Sequence, residues 1–365
     1  MIKRRTMGRT GLKFSELSLG TLNFGWKTDQ KTAFAVLDAY HAAGGNVIQA
    51  TSHSPGLLLP SAAATLSEEI VGRWWRSRRL QRKDFFLLTR LSVRQPSGAG
   101  AEDFRKVVYE ACRDSLRRFQ TDYLDMVIFE WNEALVPIRA TLEAFDHVVR
   151  RGLVRYIGAA NFPVWRVVDS LGRAYLRNHS RMEALQADYS LITRARFEPE
   201  VMALSQEHRL GFFAQSPLAG GFLAHRHDIE TLFDGSRRGW LMEKFGNAYG
   251  LAAQAVVADV AARHATSSAQ VALSWVLHNP AVTSAVIGVH SVEQLRELLA
   301  ATSLSLSASD LEQLDQATAA EEIRLETEID RVASASASGE WPIRQGARVP
   351  RQEWEPDARA LESVV

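Results

Sequence analysis

Several polar side chains in this sequence stand directly after short apolar runs, and their types define the chemistry the chain can attempt. The run Leu124–Phe129 ends on Glu130 followed by Trp131, and Phe85–Thr89 ends on Arg90. Similar positions hold Gln49 with His53 and Ser54, Asn161, Gln186, Gln215 with Ser216, and Gly288 with His290. A carboxylate can exchange a proton, a guanidinium can hold an anionic oxygen, and amides can read carbonyls and hydroxyls. An isolated glutamate is most often a solvated rim residue. Placed at a strand end with Arg90 one strand away, Glu130 is expected instead in a buried or half-buried ion pair. That pair would serve as a structural plug or as a working acid or base.

The elements that must position these groups follow from periodicity. Short β-branched runs alternate with amphipathic stretches, which is the pattern of repeated βα units around a parallel sheet. Expected strands are Glu16–Leu19, Asn46–Ala50, Phe85–Arg90, Leu124–Phe129, Val154–Ala159, Ala184–Ala187, Gly211–Ala214 and Ser284–Ile287. Expected helices are Gln30–Ala43, Leu66–Arg78, Asp103–Phe119, Ile138–Arg151, Trp165–Arg177, Pro199–His208, Leu251–His264 with Ser268–Leu277, and Val292–Ala300. Eight such units predict an α/β fold, a (β/α)8 TIM barrel whose chemistry sits on the loops after the strands. The barrel is expected over residues 1–320. Residues 321–365 form a C-terminal extension with Trp341 and Trp354, expected to lie over the barrel mouth.

The chain has 365 residues, 46% of them hydrophobic, enough to bury a large core. With 43 basic and 42 acidic residues the net charge is +1, which gives no electrostatic reason for a nucleic-acid or anionic-membrane partner and favours a small-molecule substrate. The short basic clusters Arg76–Arg79 and Arg237-Arg238 read as solvated faces. One cysteine, Cys112 in a helical pattern, excludes a disulfide framework and a thiolate metal cluster, and points to a cytoplasmic setting. No apolar stretch follows the basic start, so neither secretion nor membrane insertion is expected. His179, His208, His264 and His278 fall near expected helix ends, where capping or exposure accounts for them, and no metal is assigned. His53, among Ser52, Ser54, Pro55 and Gly56, reads as a loop histidine. Trp26 and Trp131 are expected to line a ligand pocket.

Met7–Lys13 and Leu19-Gly20-Thr21 resemble the opening of an aldo-keto reductase, where a hairpin closes the barrel floor. Gly158–Phe162, Gln186–Leu191, Ser216–Gly221, Ala269–Trp275 and Ile287–Leu295 resemble later motifs of that family, in family order, over roughly residues 5 to 316. The resemblance implies NADPH-dependent carbonyl reduction by an Asp, Tyr, Lys and His set. Tyrosine would protonate the alkoxide that hydride leaves behind, with lysine and aspartate tuning it and histidine orienting the carbonyl. At the matching positions this chain carries Gln49, Ser54, Arg90 and Glu130, and a serine hydroxyl is a far poorer acid than a phenol. The resemblance also implies a cofactor site, with Asn161 and Gln186 on the nicotinamide amide. Ser216, Leu218 and Gly220 would wrap the pyrophosphate, and Gly288, His290 and Gln294 would lie in the last cofactor segment. Gln215 replaces the ring that stacks on nicotinamide, and Val289, His290 and Leu298 also depart from the pattern, so NADP is implied with an eroded site.

Three functions are therefore expected in order. The first is redox-neutral chemistry on a small metabolite, such as dehydration, elimination, isomerisation or cyclisation. Glu130 would be the acid or base, Arg90 would hold an anion or tune Glu130, and Gln49 and His53 would orient the substrate. The second is an NADP(H)-dependent oxidoreductase with an atypical proton donor, His53 or Glu130. The third is a catalytically silent binding or regulatory subunit. Nothing in the sequence specifies a number of subunits.

Overall fold

A computed structural model describes residues 1–53, 61–92, 101–130, 137–224 and 235–319. The tail expected over the mouth, together with Ser54 and Trp131, lies outside the described residues. Ten strands are present among those described. β1 (Arg4–Thr6) and β2 (Lys13–Ser15) form an antiparallel hairpin. β3 (Leu17–Gly20), β4 (Val47–His53), β5 (Phe86–Leu91), β6 (Leu124–Glu130), β7 (Val154–Ala160), β8 (Met182–Asp188), β9 (Gly211–Gln215) and β10 (Ser284–Gly288) are parallel and close on themselves, β10 pairing with β3. All eight expected strands are found, seven of them extended by one residue at the C-terminal end and β4 by three.

Strand periodicity sorts the side chains into two cores. Val47, Leu88, Met126, Ile128, Ala160, Ala184 and Phe213 fill the barrel interior. Ile48, Leu87, Leu91, Val127, Phe129, Leu185 and Phe212 face the surrounding helices. The hairpin plugs the interior from below with Met7 and Phe14, both fully buried, the Phe14 ring 4.5 Å from that of Phe86. Gly8 lets this plug seat: its φ is +45°, and a Cβ there would stand 2.2 Å from the Arg209 carbonyl oxygen. The neighbouring Arg9 amide donates to that same oxygen at 3.0 Å.

Helix starts follow capping chemistry. Asp29 accepts from the Thr32 amide ahead of Gln30–Ala42, and Ser267 and Ser307 each form a reciprocal capping box. Three expectations are corrected. The helix expected over Pro199–His208 begins earlier and is interrupted, running Arg194–Phe197, a π-turn at Glu198–Met202, then Ala203–Glu207. Pro199 has no N–H to donate within the α-helical ladder, and the chain widens there. Second, helices at Gly235–Phe245 and Ala308–Ala317 lie outside the eight-unit count. Third, His53 is not a loop residue: it ends β4, opposite Leu91, just past a register shift between Thr51 and His53. Among the described residues no helix is long and apolar enough to cross a membrane, and no group of three or more metal-ligating side chains occurs.

Candidate active site

The same alternation that fills the barrel aims its polar ends. Val47, Leu88, Ile128, Ala184 and Phe213 point inward, so the residues two further on, Gln49, Arg90, Glu130, Gln186 and Gln215, form the next layer up at the mouth. They bond to one another both between neighbouring strands, as Gln186 with Gln215 and Arg90 with Glu130, and across the barrel, as Gln49 with Gln186 and Arg90 with Gln215. Gln49 Nε2 donates to Gln186 Oε1 at 2.6 Å, Gln186 Nε2 to Gln215 Oε1 at 3.2 Å, and Arg90 Nη1 to the same Gln215 Oε1 at 2.5 Å. Arg90 Nη2 donates to Glu130 Oε1, completing an ion pair whose side chains are 11% and 15% exposed. Arginine is donor-only, so Gln215 must turn its oxygen to Arg90; that choice orients the Gln186 amide, and Gln186 in turn orients Gln49. The amide chain thus inherits its polarity from the guanidinium.

The layer leaves two groups unspent. Arg90 Nε and Glu130 Oε2 are buried and make no hydrogen bond among the described residues. Native proteins pair nearly all such atoms, and an orphan donor and an orphan acceptor on one ion pair at a barrel mouth suit a ligand or an ordered water. With a guanidinium on Oε1, Glu130 presents a carboxylate oxygen that accepts.

Behind β5 lies support that the sequence pattern does not announce. Glu68, fully buried on the helix Ser61–Ser77, accepts from Thr89 Oγ1 at 2.5 Å and from Arg118 Nε at 2.6 Å. Arg118 also donates to Ser52 Oγ at 2.9 Å. Burial pushes the Glu68 carboxyl above its ordinary range, against the pull of Arg118 and the Thr89 hydroxyl. This cluster ties β4 and β5 to two helices one residue away from Arg90 and His53. Thr89 has the outward parity of its strand, the one signal in the sequence that a polar partner waits behind it.

The residues expected at a dinucleotide divide into two groups. In the loop after β9, Ser216, Ala219, Gly220 and Gly221 have φ of 51°, 50°, 71° and 103°, a left-handed succession of the kind that curls backbone around anions. Ser291 caps the helix Val292–Ala300, and Gln294 Oε1 accepts from the His290 amide at 2.8 Å, while His290 Nδ1 lies 3.4 Å from Thr28 Oγ1. These segments fit the phosphate and nucleoside end of such a cofactor. At the other end Asn161, exposed with φ of 58°, follows β7. Gln186 and Gln215 commit their amides to Gln49 and Arg90. Trp26, 39% exposed, stands in the loop after β3 with Lys27 over its ring.

The closed eight-stranded barrel, the hairpin beneath it and a polar layer at the strand ends define a class. The chain belongs to the aldo/keto reductase family, whose model matches residues 16–319. It is 35% identical to "Uncharacterized oxidoreductase YrpG" of Bacillus subtilis (strain 168), over 85% of this chain and 94% of that protein. It is 29% identical to "Protein tas" of Escherichia coli (strain K12), over 84% and 94%. It is also 29% identical to a "Probable voltage-gated potassium channel subunit beta" of Oryza sativa subsp. japonica, over 80% and 89%. A family member of this kind is compatible with NADP(H).

Proposed function

We propose that this aldo/keto reductase barrel performs redox-neutral proton transfer on a small polar metabolite instead of ordinary NADPH-dependent carbonyl reduction. The observation that carries the reading is the buried Arg90–Glu130 pair with Glu130 Oε2 and Arg90 Nε unspent. In this reading Glu130 Oε2 removes a proton from carbon or oxygen of the substrate. Arg90 Nε steadies the negative charge that develops, and Gln49 orients the bound molecule. Glu130 then returns that proton, to the departing group in dehydration or elimination and to a different atom of the substrate in isomerisation or cyclisation, so that no oxidant or reductant is consumed. Gln49, Arg90 and Glu130 stand where the family's aspartate, lysine and histidine would be, which supports loss of the reductive step, because arginine is charged at every working pH and cannot titrate as lysine does. We read the nicotinamide end of the inherited cofactor site as eroded, since Gln186 and Gln215 are bound to each other and to the site. No step of this mechanism is routed through a dinucleotide.

The test works before any substrate is identified. Incubating the protein with metabolite mixtures in D2O, with mass spectrometry for deuterium uptake, is expected to reveal a labelled compound whose exchange drops by about 100-fold or more in Glu130→Gln, the scale of a lost general base. Full turnover in that variant would remove the mechanism.

A second reading is supported by the left-handed loop Ser216–Gly221 and by the relative named an oxidoreductase: NADP(H) binds and an atypical donor completes a reduction. Fluorescence titration with NADPH separates the two, because this version requires both binding and Glu130-dependent oxidation of the nucleotide.

A further inference from the structure

The helix Val164–Leu176 packs Val167, Ser170, Leu171 and Ala174 against the barrel, as an amphipathic helix should. Its outer surface is only partly polar, with Asp169 and Arg173 flanking an apolar stripe. Trp165 is 64% exposed, Val168 45%, Tyr175 87% and Leu176 81%, and with Gly172 they recur at three- and four-residue spacing along one stripe. An exposed aromatic offers roughly 150–250 Å² of surface, so two rings and two aliphatic side chains leave about 500 Å² of contiguous apolar area, at the upper end of what a monomer tolerates.

Gly172 adds an independent observation. It lies inside the helix, where glycine costs about 1 kcal/mol relative to alanine. A Cβ built on it would meet nothing within 4 Å, so no packing among the described residues requires its smallness. A backbone approaching from outside would.

We propose that this stripe is the two-fold interface between two copies of the chain. An isologous contact requires a self-complementary patch, and the stripe is one about Ser170. Trp165 and Tyr175 lie five positions either side of it, and Val168 and Gly172 lie two positions either side. In an antiparallel pair centred there, each Trp165 meets the Tyr175 ring of the second copy, and each Val168 fills the gap above its Gly172. The flanking charges suit the same axis. Asp169 and Arg173 already pair within the helix at 2.7 Å. Across the axis Arg173 stands only about 3 Å along the helix from the Asp169 of the second copy, by the rise of two residues, so the two pairs close into a ring of alternating sign. The apolar stripe covers more than half of the roughly 800 Å² per partner that a stable contact buries, and this charged rim supplies the remainder.

Sedimentation velocity on the full chain at micromolar concentration is expected to show a dimer. Trp165→Glu with Tyr175→Glu is expected to weaken self-association by roughly 30-fold or more, the loss of a hot spot, while leaving the unfolding temperature unchanged at dilutions where the wild type is itself monomeric, because both side chains face solvent in the single chain. The geometry is read separately by oxidative cross-linking of mixed single variants. Val168→Cys and Gly172→Cys proteins are expected to form a disulfide-linked dimer when mixed and little when alone, and the native Cys112 is buried and does not contribute. A monomeric wild type, a dimer indifferent to the double glutamate variant, or mixed variants that do not cross-link would each overturn the proposal. A monomer in which Trp165 is shielded from quencher would assign the stripe to the chain's own C-terminal segment instead.

Discussion

Replacing Glu130 by glutamine changes one atom and should expose how much the mouth depends on its ion pair. The partners are 11% and 15% exposed, so solvent screens little of their interaction. Breaking a buried pair by removing one member costs about 3–5 kcal/mol. Glutamine keeps an oxygen for Arg90, so the expected loss is smaller, about 2 kcal/mol, with Gln215 still accepting from the other guanidinium nitrogen. For a chain of 365 residues that corresponds to a fall in unfolding temperature of about 3 °C. Replacing both partners, Arg90→Met with Glu130→Leu, leaves no stranded charge and is expected to cost less than the two single changes summed. Urea and thermal unfolding of the four proteins give the coupling energy, predicted near 2 kcal/mol and insensitive to added salt. A coupling below about 0.5 kcal/mol, or one erased by salt, is the behaviour of an exposed pair and would refute the burial on which the site rests.

Two further predictions concern the frame around that site. Gly8→Ala places a methyl group against the Arg209 carbonyl at a positive φ, with only backbone to give way, and is expected to cost about 3 kcal/mol by chemical denaturation. A cost near zero would mean the hairpin does not seat on the barrel floor as described. Asp310 accepts from the Ser307 hydroxyl at 2.6 Å, from Arg263 at 2.9 Å and from His264 at 2.8 Å, and these partners, Ser307 foremost, hold its carboxyl well below the usual carboxylate range. A carboxyl depressed in the folded state contributes stability above its unfolded pKa, near 4, and loses it as the pH falls through the folded value. Asp310→Asn is therefore expected to lose about 2 kcal/mol at pH 7, with the gap from wild type narrowing steadily below about pH 4; a gap independent of pH would contradict the assignment.

The architecture is legible in the sequence because strand and helix periodicities differ and alternate eight times. The parity of each strand is legible too: once Leu88 and Ile128 are inward, Arg90 and Glu130 must be as well, and their pairing follows. What the residues do not announce is who partners whom across the barrel. The bond from Gln49 to Gln186 joins residues 137 positions apart on strands that do not pair, and no local pattern encodes it. Glu68 hides for a different reason, since a glutamate in an amphipathic helix looks like a solvated face until the helix is docked. The interrupted helix at Glu198–Met202 is foreshadowed only by Pro199, and the helix Ala308–Ala317 by its Ser307 and Asp310 capping pair.

An Arg90–Glu130 layer that has displaced reductive chemistry in this barrel leaves a kinetic signature. A single-turnover experiment tests it most directly: protein in excess over NADPH is mixed with a panel of reactive aldehydes and ketones, and nucleotide oxidation is followed by absorbance in wild type and Glu130→Gln. Background oxidation is expected in both proteins, whether or not the nucleotide binds. Rapid oxidation in wild type that disappears in Glu130→Gln would contradict it and make Glu130 the proton donor of a working reductase.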